Sequence, residues 1–600
     1  MLVEAAGLFQ YSLENNATTE DPFRVELTVE PSNEPGIELV HIRIHSDIAS
    51  VPAPIHLKWR LPIVDVQGQW HPTAIYNKGL RADWSQPFES KSTYSAPVFC
   101  LFGGDGGNRL TFAFSDVLNV IKYDAGINEE TACFHCHITM FDTPTTPICN
   151  YEATLRIDTR SHIPYYEALQ QVSDWWSTFA ENKPAPIPDA ATQPMYSTWY
   201  SFHQNLSPEA IEEECAAARK LGCETVIVDD GWQTADNARG YAYCGDWQVC
   251  TEKIPDMRAH VANVHKLGMK YILWYSVPFI GKKSEAWGRY QNKLLYTIDS
   301  LEAGVLDPRY PEVRRYLIEV YENALLDWDL DGFKLDFVDV FGQPEKENPG
   351  NADGRDDISV AQAVDLLLSE VIKRLSVIKP DIMLEFRQNY ISPLMRKYGN
   401  LFRAADCPND AIQNRMRTLD IRLLCGNTAA HADMIMWHAD EPVESAALQL
   451  INVLFAVPQI SVRLTTLPEQ HAEMVAFWLA FWKEHRSTLL EGKLAPNHPE
   501  LLYPLVTAND SNTYIAAVYQ ENLIIKLPDS QPLPPQTILI NGTRSDRLII
   551  ERTHQPIAAA ATVTIKNCLG QTVNEYALSS TQGIQAIPVP AGGLAIISAS

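Results

Sequence analysis

The run Asp331-Gly332-Phe333-Lys334-Leu335-Asp336-Phe337 carries a lysine and an aspartate two residues apart inside an otherwise apolar stretch. Side chains on a β-strand alternate between its two faces, so Lys334 and Asp336 point the same way. Opposite charges held side by side in a buried strand make either a structural ion pair or a carboxylate kept ionised for chemistry. Further acids, cations and indoles stand at Trp199, Asp229-Asp230-Gly231-Trp232, Gly245-Asp246-Trp247, Glu385-Phe386-Arg387 and Arg403-Ala404-Ala405-Asp406. The set has no Cys/His metal cluster and no phosphate-binding loop. It is the inventory of a site that cleaves glycosidic bonds, where one carboxylate meets an oxocarbenium-like centre and another delivers the leaving-group proton.

Asp336 fits the first role, because Lys334 beside it favours the charged form. Asp406 fits the second, since its mixed polar and apolar surroundings let it keep a proton more readily; Asp410, four residues on, is the reserve candidate. Asp229 and Asp230 carry adjacent like charges that sugar hydroxyls relieve by donating hydrogen bonds. Trp232 and Trp247 offer apolar faces to a pyranose ring, and Asp246 sits in the long loop after the second strand, where it can reach a substrate. Trp199, Glu385, Arg387 and Arg403 complete the expected lining, with His203, Trp437 and His438 as outer members. Taken singly, each residue has a plainer reading as a helix cap, an ion-pair partner or a core aromatic. The whole set does not, because charges gathered at several strand ends are costly to keep without a function.

These residues need a scaffold that brings strand ends together. From about 193 to 490 the pattern alternates strand and helix eight times, which is the arithmetic of a (β/α)8 TIM barrel, an α/β fold with its active site at the C-terminal strand ends. The expected strands are 197–200, 224–229, 269–274, 332–336, 382–386, 401–405, 432–437 and 458–462, with helices such as 208–220, 312–328, 357–378 and 469–485 among them. Residues 1–175 are short alternating runs broken by turn residues and predict an N-terminal β-sandwich. Lys183-Pro184-Ala185-Pro186-Ile187-Pro188 marks an extended linker within 176–192, and residues 491–600 predict a small C-terminal β-sandwich. Gly103-Gly104-Asp105-Gly106-Gly107-Asn108 lacks a Gly-Lys-Ser/Thr ending and reads as a hairpin turn.

At 600 residues, 46% hydrophobic and 20% charged, the chain has the composition of a globular protein with several domains. Lys plus Arg number 48 against 74 Asp plus Glu, a formal charge of -26 that excludes a polyanionic partner such as nucleic acid. Fourteen Trp and 24 Tyr suit an oligosaccharide partner. No apolar run reaches the length of a membrane span, and Met1-Leu2-Val3-Glu4-Ala5-Ala6-Gly7 lacks the basic start and apolar core of a secretory signal, so no membrane partner and a cytoplasmic location are expected. The eleven scattered cysteines predict free thiols. Cys133-Phe134-His135-Cys136-His137 has no second pair at finger spacing and reads as strand core; neither a metal nor a cofactor is expected.

At these residues the sequence resembles glycoside hydrolase family 36, the α-galactosidase (melibiase-like) proteins, whose clan also holds family 27. The matching pieces are Leu221-Gly222 through Asp229-Asp230-Gly231-Trp232, then Gly245-Asp246-Trp247, then Lys334-Leu335-Asp336. They continue with Arg403-Ala404-Ala405-Asp406, Asp410 and Arg415, and with Pro458-Gln459-Ile460-Ser461-Val462 and Phe481-Trp482-Lys483-Glu484-His485-Arg486. The resemblance implies that Asp336 is the nucleophile of a retaining double displacement and Asp406 its acid/base. It also implies that Asp229, Asp230 and Lys334 hold the hydroxyls of the sugar being cleaved. Retention places the two carboxyl groups about 5 to 5.5 Å apart. Family analogy further takes Arg81-Ala82-Asp83-Trp84 to a neighbouring subunit's site, and with it a homo-oligomer. The sequence departs from the family where Glu385-Phe386-Arg387-Gln388-Asn389 replaces a Cys-x-x-Gly-x-x-Arg segment, and where Tyr275-Ser276-Val277-Pro278 replaces Glu-Pro-Glu. The acid/base segment also has an extra residue between Asp406 and Asp410.

The sequence therefore reads as a metal-independent retaining α-glycoside hydrolase, foremost an α-galactosidase acting on small oligosaccharides. The same chemistry on α-glucosyl or α-N-acetylgalactosaminyl substrates, or transglycosylation, stays open, as does a non-catalytic carbohydrate-binding protein. An aldolase or isomerase on the same barrel is disfavoured by the missing phosphate site.

Overall fold

Eight parallel strands form the central sheet: Met195–Ser197, Thr225–Val228, Lys270–Ser276, Gly332–Asp336, Met383–Arg387, Leu401–Arg403, Ala429–His431 and Gln459–Ile460. Consecutive strands are hydrogen-bonded neighbours and the eighth pairs back onto the first. Parallel bridges His431–Val457 and Ile435–Ile460 close the ring between the seventh and eighth, which makes this a closed (β/α)8 barrel. This computed structural model describes residues 2–15, 22–143, 145–342, 354–527, 534–552, 561–578 and 583–598.

The barrel forms where strand and helix signals agree. Every residue of Gly332–Asp336 is buried, as a strand with helices outside and side chains inside must be. Gly332 is required there, since a Cβ would stand 2.2 Å from the Met383 carbonyl oxygen of the next strand. At the lower end of the same strand, Asp331 accepts from the Tyr271 backbone N–H at 2.9 Å and from His265 at 2.8 Å, and pairs with Lys379 at 2.9 Å. These contacts pin the strand whose upper end carries Asp336.

Helix Pro208–Leu221 starts on a Ser207 cap with proline in its first turn and stops at Gly222, whose φ of 110° only glycine adopts easily. Helix Val360–Ile378 opens on a Ser359/Gln362 capping box and buries Val364, Leu367, Leu368, Val371 and Leu375 along one stripe. Helices Pro311–Trp328 and Glu469–Glu484 complete the set expected from periodicity.

Two strands differ most from expectation, while the sixth and eighth are shorter than expected, at Leu401–Arg403 and Gln459–Ile460. The first ends at Ser197, and Trp199–Phe202 is a helical turn, because the Phe202 N–H turns back to the Thr198 carbonyl. The seventh is Ala429–His431, three residues before the apolar run 432–437. Alternating Ala432-Asp433-Met434-Ile435 looks like a strand, but it is the segment that leaves the barrel top, and it keeps only the single bridge through Ile435.

The N-terminal part is a pair of six-stranded antiparallel sheets whose inner faces share a core that includes Val40, Ile42, Leu57, Phe112, Phe114 and Ile138. Its first strand, Leu2–Ala6, is an edge strand paired to Gln10–Asn15. Gly103–Asn108 is the turn between paired strands Val98–Phe102 and Asn108–Phe114. Beyond Lys493, a seven-stranded and a three-stranded sheet make the C-terminal part. All eleven cysteines are free thiols. Cys136 faces the core and His135 pairs with Asp83 at 3.1 Å; among the described residues no His/Cys/Asp/Glu group is arranged to hold a metal ion. No described helix is long and apolar enough to cross a membrane.

Candidate active site

The C-terminal strand ends bring the expected charges together, with partners that spacing alone does not give. Lys334 donates to Asp229 Oδ2 at 2.6 Å, linking the fourth strand to the end of the second. Asp336 is held from the next strand and the loops. Its Oδ1 accepts from Arg387 Nε at 2.6 Å, the Tyr390 hydroxyl at 2.9 Å and the Phe337 N–H at 2.8 Å, while Oδ2 accepts from Trp274 Nε1 at 3.2 Å. Phe337 adopts φ of 63°, which folds its N–H back onto the preceding carboxylate. Burial by itself would push the Asp336 carboxyl up. The Arg387 and Lys334 charges outweigh it and hold Asp336 well below the usual carboxylate range.

Arg403, at the end of the sixth strand, is the second hub. Its guanidinium donates to Asp433, to the Ala404 carbonyl at 2.9 Å and to Asp406 Oδ1 at 2.9 Å, and its Nε lies 3.5 Å from Glu385. Asp433 also accepts from the Tyr200 hydroxyl at 2.9 Å and the Cys407 N–H at 2.6 Å. Glu385, fully buried, accepts from Gln459 at 2.6 Å below the site. Asp406 differs from all of these in standing at the mouth, with its side chain 45% exposed. Against the effect of burial, the charges of Arg403, Lys334 and Arg387 lower its carboxyl, so it does not hold its proton as readily as its sequence surroundings suggest.

Asp410 is a helix cap. Its Oδ1 accepts from the Gln413 N–H at 2.9 Å at the start of helix Ala411–Arg422, and its Oδ2 accepts from Tyr76 at 3.0 Å. Asp229 and Asp230 are both buried. Asp230 accepts from the side-chain amides of Gln204 and Gln233, each at 2.7 Å, so two glutamines within the protein already relieve its charge. Burial and the neighbouring Asp229 charge still push Asp230 up to about 6.

The aromatic expectations need correction. Trp232 has 0% exposure; its indole donates to the Trp274 carbonyl at 2.9 Å and packs against Trp247, Tyr275 and Trp328. It supports the third strand rather than facing a sugar, and Trp247 lies in the same buried cluster. Trp274, from that strand, is the indole that touches Asp336. Asp246 directs its oxygens to the backbone N–H groups of Glu285 and Ala286, at 2.9 and 2.8 Å, and so holds the start of a short helix instead of a substrate. Trp199 is half-buried and meets the His203 ring edge-on. Trp437 is buried with its indole bonded to His471, and His438 is exposed.

Sequence reasoning missed Tyr390, Gln204, Gln233, Asp339 and Asp433. Neutral amides and a tyrosine carry no charge signal, and Asp433 hides inside an apparent strand. With them the electrostatics fall into two groups. Asp230, Asp339, Glu385 and Asp433 are pushed up, chiefly by burial, whereas Asp336 and Asp406 are held down by cations. Carboxyls perturbed in both directions and gathered at one barrel mouth mark a functional site, and Asp336 and Asp406, both lowered, differ by place: one is clamped inside, the other stands at the mouth.

Residues 189–492 match the family model described as Melibiase. α-Galactosidase Mel36A of Lactobacillus acidophilus is 26% identical over 153 residues, 24% of this chain and 20% of that protein. A type blood α-D-galactosamine galactosaminidase of Flavonifractor plautii is 24% identical over 207 residues, 31% of this chain and 18% of that protein. These matches span about a fifth of each curated relative. Among solved structures, the family 36 α-galactosidase AgaA from Geobacillus stearothermophilus, in complex with raffinose, superposes with a TM-score of 0.62 at 15% identity, over 99% of this chain and 83% of that one. At that identity the likeness speaks for the fold alone.

Proposed function

The chain belongs to the melibiase family, and from that premise we propose that it is a retaining α-glycoside hydrolase, an α-galactosidase acting on small oligosaccharides. The observation that carries the reading is the contrast between its two candidate carboxyls. Asp336 is buried, ionised and clamped, while Asp406 is half-exposed on Arg403 at the mouth.

The clamp favours one oxygen for attack. Three donors fix Asp336 Oδ1, whereas Oδ2 has only the longer Trp274 bond, so Oδ2 is the atom that bonds the anomeric carbon. As that bond forms, the exocyclic C–O bond breaks and Asp406 gives its proton to the departing oxygen. A water then attacks the same carbon, Asp406 takes its proton, and the Asp336 carboxylate is released; two inversions leave the configuration retained. A bound aglycone removes water from the exposed side of Asp406 and so raises its proton affinity toward the value an acid needs. The excess of carboxyls over Lys334, Arg387 and Arg403 suits a transition state that develops positive charge.

The galactose assignment follows the relatives' names and the family positions of Asp229, Asp230 and Lys334. Trp84, 69% exposed on the N-terminal sandwich, is the residue that family analogy takes to a neighbouring copy. A panel of aryl α-glycosides, galactosyl, glucosyl and N-acetylgalactosaminyl, with the anomer of the first product read by NMR, tests the whole reading. Release from the galactoside with the α-anomer first is expected. Release of β-anomer first overturns the mechanism, preference for another glycoside overturns the sugar, and binding without turnover of any of them overturns the enzyme.

A further inference from the structure

The turn Lys91–Ser95 of the N-terminal sandwich reaches the barrel rim and holds both loops that surround Asp336. Lys91 Nζ donates to the carbonyls of Asp339 and Phe341, each at 2.7 Å, three and five residues beyond the carboxylate. The Ser95 N–H donates to the Asn389 carbonyl at 2.8 Å. Asn389 stands between Arg387 and Tyr390, which both donate to Asp336 Oδ1. One turn from another part of the chain thus fixes the segment after the fourth strand and the segment after the fifth.

The turn is stiff enough for the purpose. Lys91 and Tyr94 bond each other through both backbone N–H groups, at 2.9 and 3.0 Å, and Ser95 sits at φ of 57°. No described carboxylate lies within ion-pair distance of the Lys91 ammonium, so its charge is directed to the two loop carbonyls, as charge-assisted bonds stronger than neutral ones. Elsewhere in that segment, the Tyr296 hydroxyl donates to the Val340 carbonyl and the Phe337 N–H meets both Asp336 and Tyr390.

We infer that Lys91 is a positioning residue for the reaction: by tying down residues 337–342 it keeps the Phe337 N–H and the Tyr390 hydroxyl aligned on Asp336 Oδ1, and so aims Oδ2 at the substrate. The inference rests on the function proposed above. Since a displacement of ~1 Å at a reacting group costs on the order of 10²-fold in rate, loss of this clasp acts on kcat and leaves KM little changed.

The test uses the full chain with Lys91→Met, which keeps the length and loses the donor, and Lys91→Arg, which restores it. Two readouts are taken: kcat and KM on the best glycoside, per active site titrated with a tight competitive inhibitor, and amide hydrogen exchange of peptides covering 337–342 and 387–390. K91M is expected to lower kcat on the order of 10²-fold with KM little changed and to speed exchange in those two segments only, and K91R to recover both. Unchanged kcat per titrated site overturns the inference, as does equal loss in K91M and K91R. If the parent turns over no glycoside, the proposed function falls, and exchange alone decides the clasp: unchanged protection of both segments in K91M refutes it, and selective loss supports it. Where K91M does not fold, Lys91→Gln, which keeps a shorter, uncharged amide donor, is read by the same two criteria.

Discussion

Lys334 donates to Asp229 across the barrel at 2.6 Å and leaves Asp336, two residues along its own strand, to Arg387. Same-face neighbours on a strand are roughly 6.6 Å apart, so the long lysine side chain meets a carboxylate on another strand more easily than the short aspartate beside it. Lys334 still acts on Asp336 through space. The direct bond that orients the carboxylate comes from the fifth strand, where the sequence departs from the family pattern.

Replacing Asp336 by Ala should reduce kcat by about 10⁴-fold or more, as removal of a nucleophile does elsewhere. Arg387 is partly exposed and regains water, so the fold should survive, with near-parent circular dichroism. Azide should enter the space left by the carboxylate and return turnover, with β-glycosyl azide as the product. Parent-like hydrolysis by this variant would remove Asp336 from the mechanism.

Arg387→Met should move the acid limb of the kcat/KM profile to higher pH. In the parent, Arg387 and Lys334 hold Asp336 below the ordinary carboxylate range, so the ionised form persists in mild acid. Without Arg387 the effect of burial dominates, and the limb should rise by on the order of 1 to 3 units. Stability follows the same sign. A carboxyl lowered on folding adds stability above its unfolded pKa of about 3.9, and this is lost as pH falls through the folded value. The variant should therefore lose most stability at pH 7, and the loss should shrink steadily as pH falls below about 3.9, measured by urea midpoints. An unmoved acid limb would mean that another group controls it.

Asp406 and Asp410 separate by leaving group. Asp406→Ala should lower kcat/KM by 10²- to 10⁴-fold on sugars with alcohol leaving groups, the usual worth of a general acid, and far less on a dinitrophenyl glycoside that departs without a proton. Asp410→Ala should show no such split. It removes the cap of helix Ala411–Arg422 and should cost ~1 kcal/mol of stability, read as a shift in denaturation midpoint. The reverse pattern would exchange their roles.

Much of this site was legible because the sequence announces it several times over. Asp331-Gly332 opens the fourth strand, its apolar residues fill it, and the observed strand Gly332–Asp336 coincides with the expected one. Ser207-Pro208 and Gly222 bound a helix by cap chemistry that needs no tertiary information. Trp232 and Asp246 were misread because an indole or an acid near a barrel rim looks the same whether it faces the cleft, the core or a helix start. Only the fold of the loop 229–250 decides, and it turns Trp232 inward and aims Asp246 at Glu285 and Ala286. Tyr390 and Asp433 were invisible for a related reason, since their partners lie tens to hundreds of residues away.

Asp420 joins the three parts of the chain, and its removal should be costly. In helix Ala411–Arg422, fully buried, it accepts from Lys78 at 3.0 and 3.1 Å and from Trp70 at 2.8 Å, both in the N-terminal sandwich, and from the Tyr503 hydroxyl of the C-terminal part. Burial works against the Lys78 charge, which only Asp420 offsets. Asp420→Ala strands that ammonium and should cost ~3 to 5 kcal/mol, whereas the double replacement with Lys78→Met removes both charges and should recover much of the loss. Guanidinium midpoints for the parent, both single variants and the pair give the coupling directly. A double variant no more stable than Asp420→Ala would show that the indole and phenol contacts, rather than the ion pair, hold the junction.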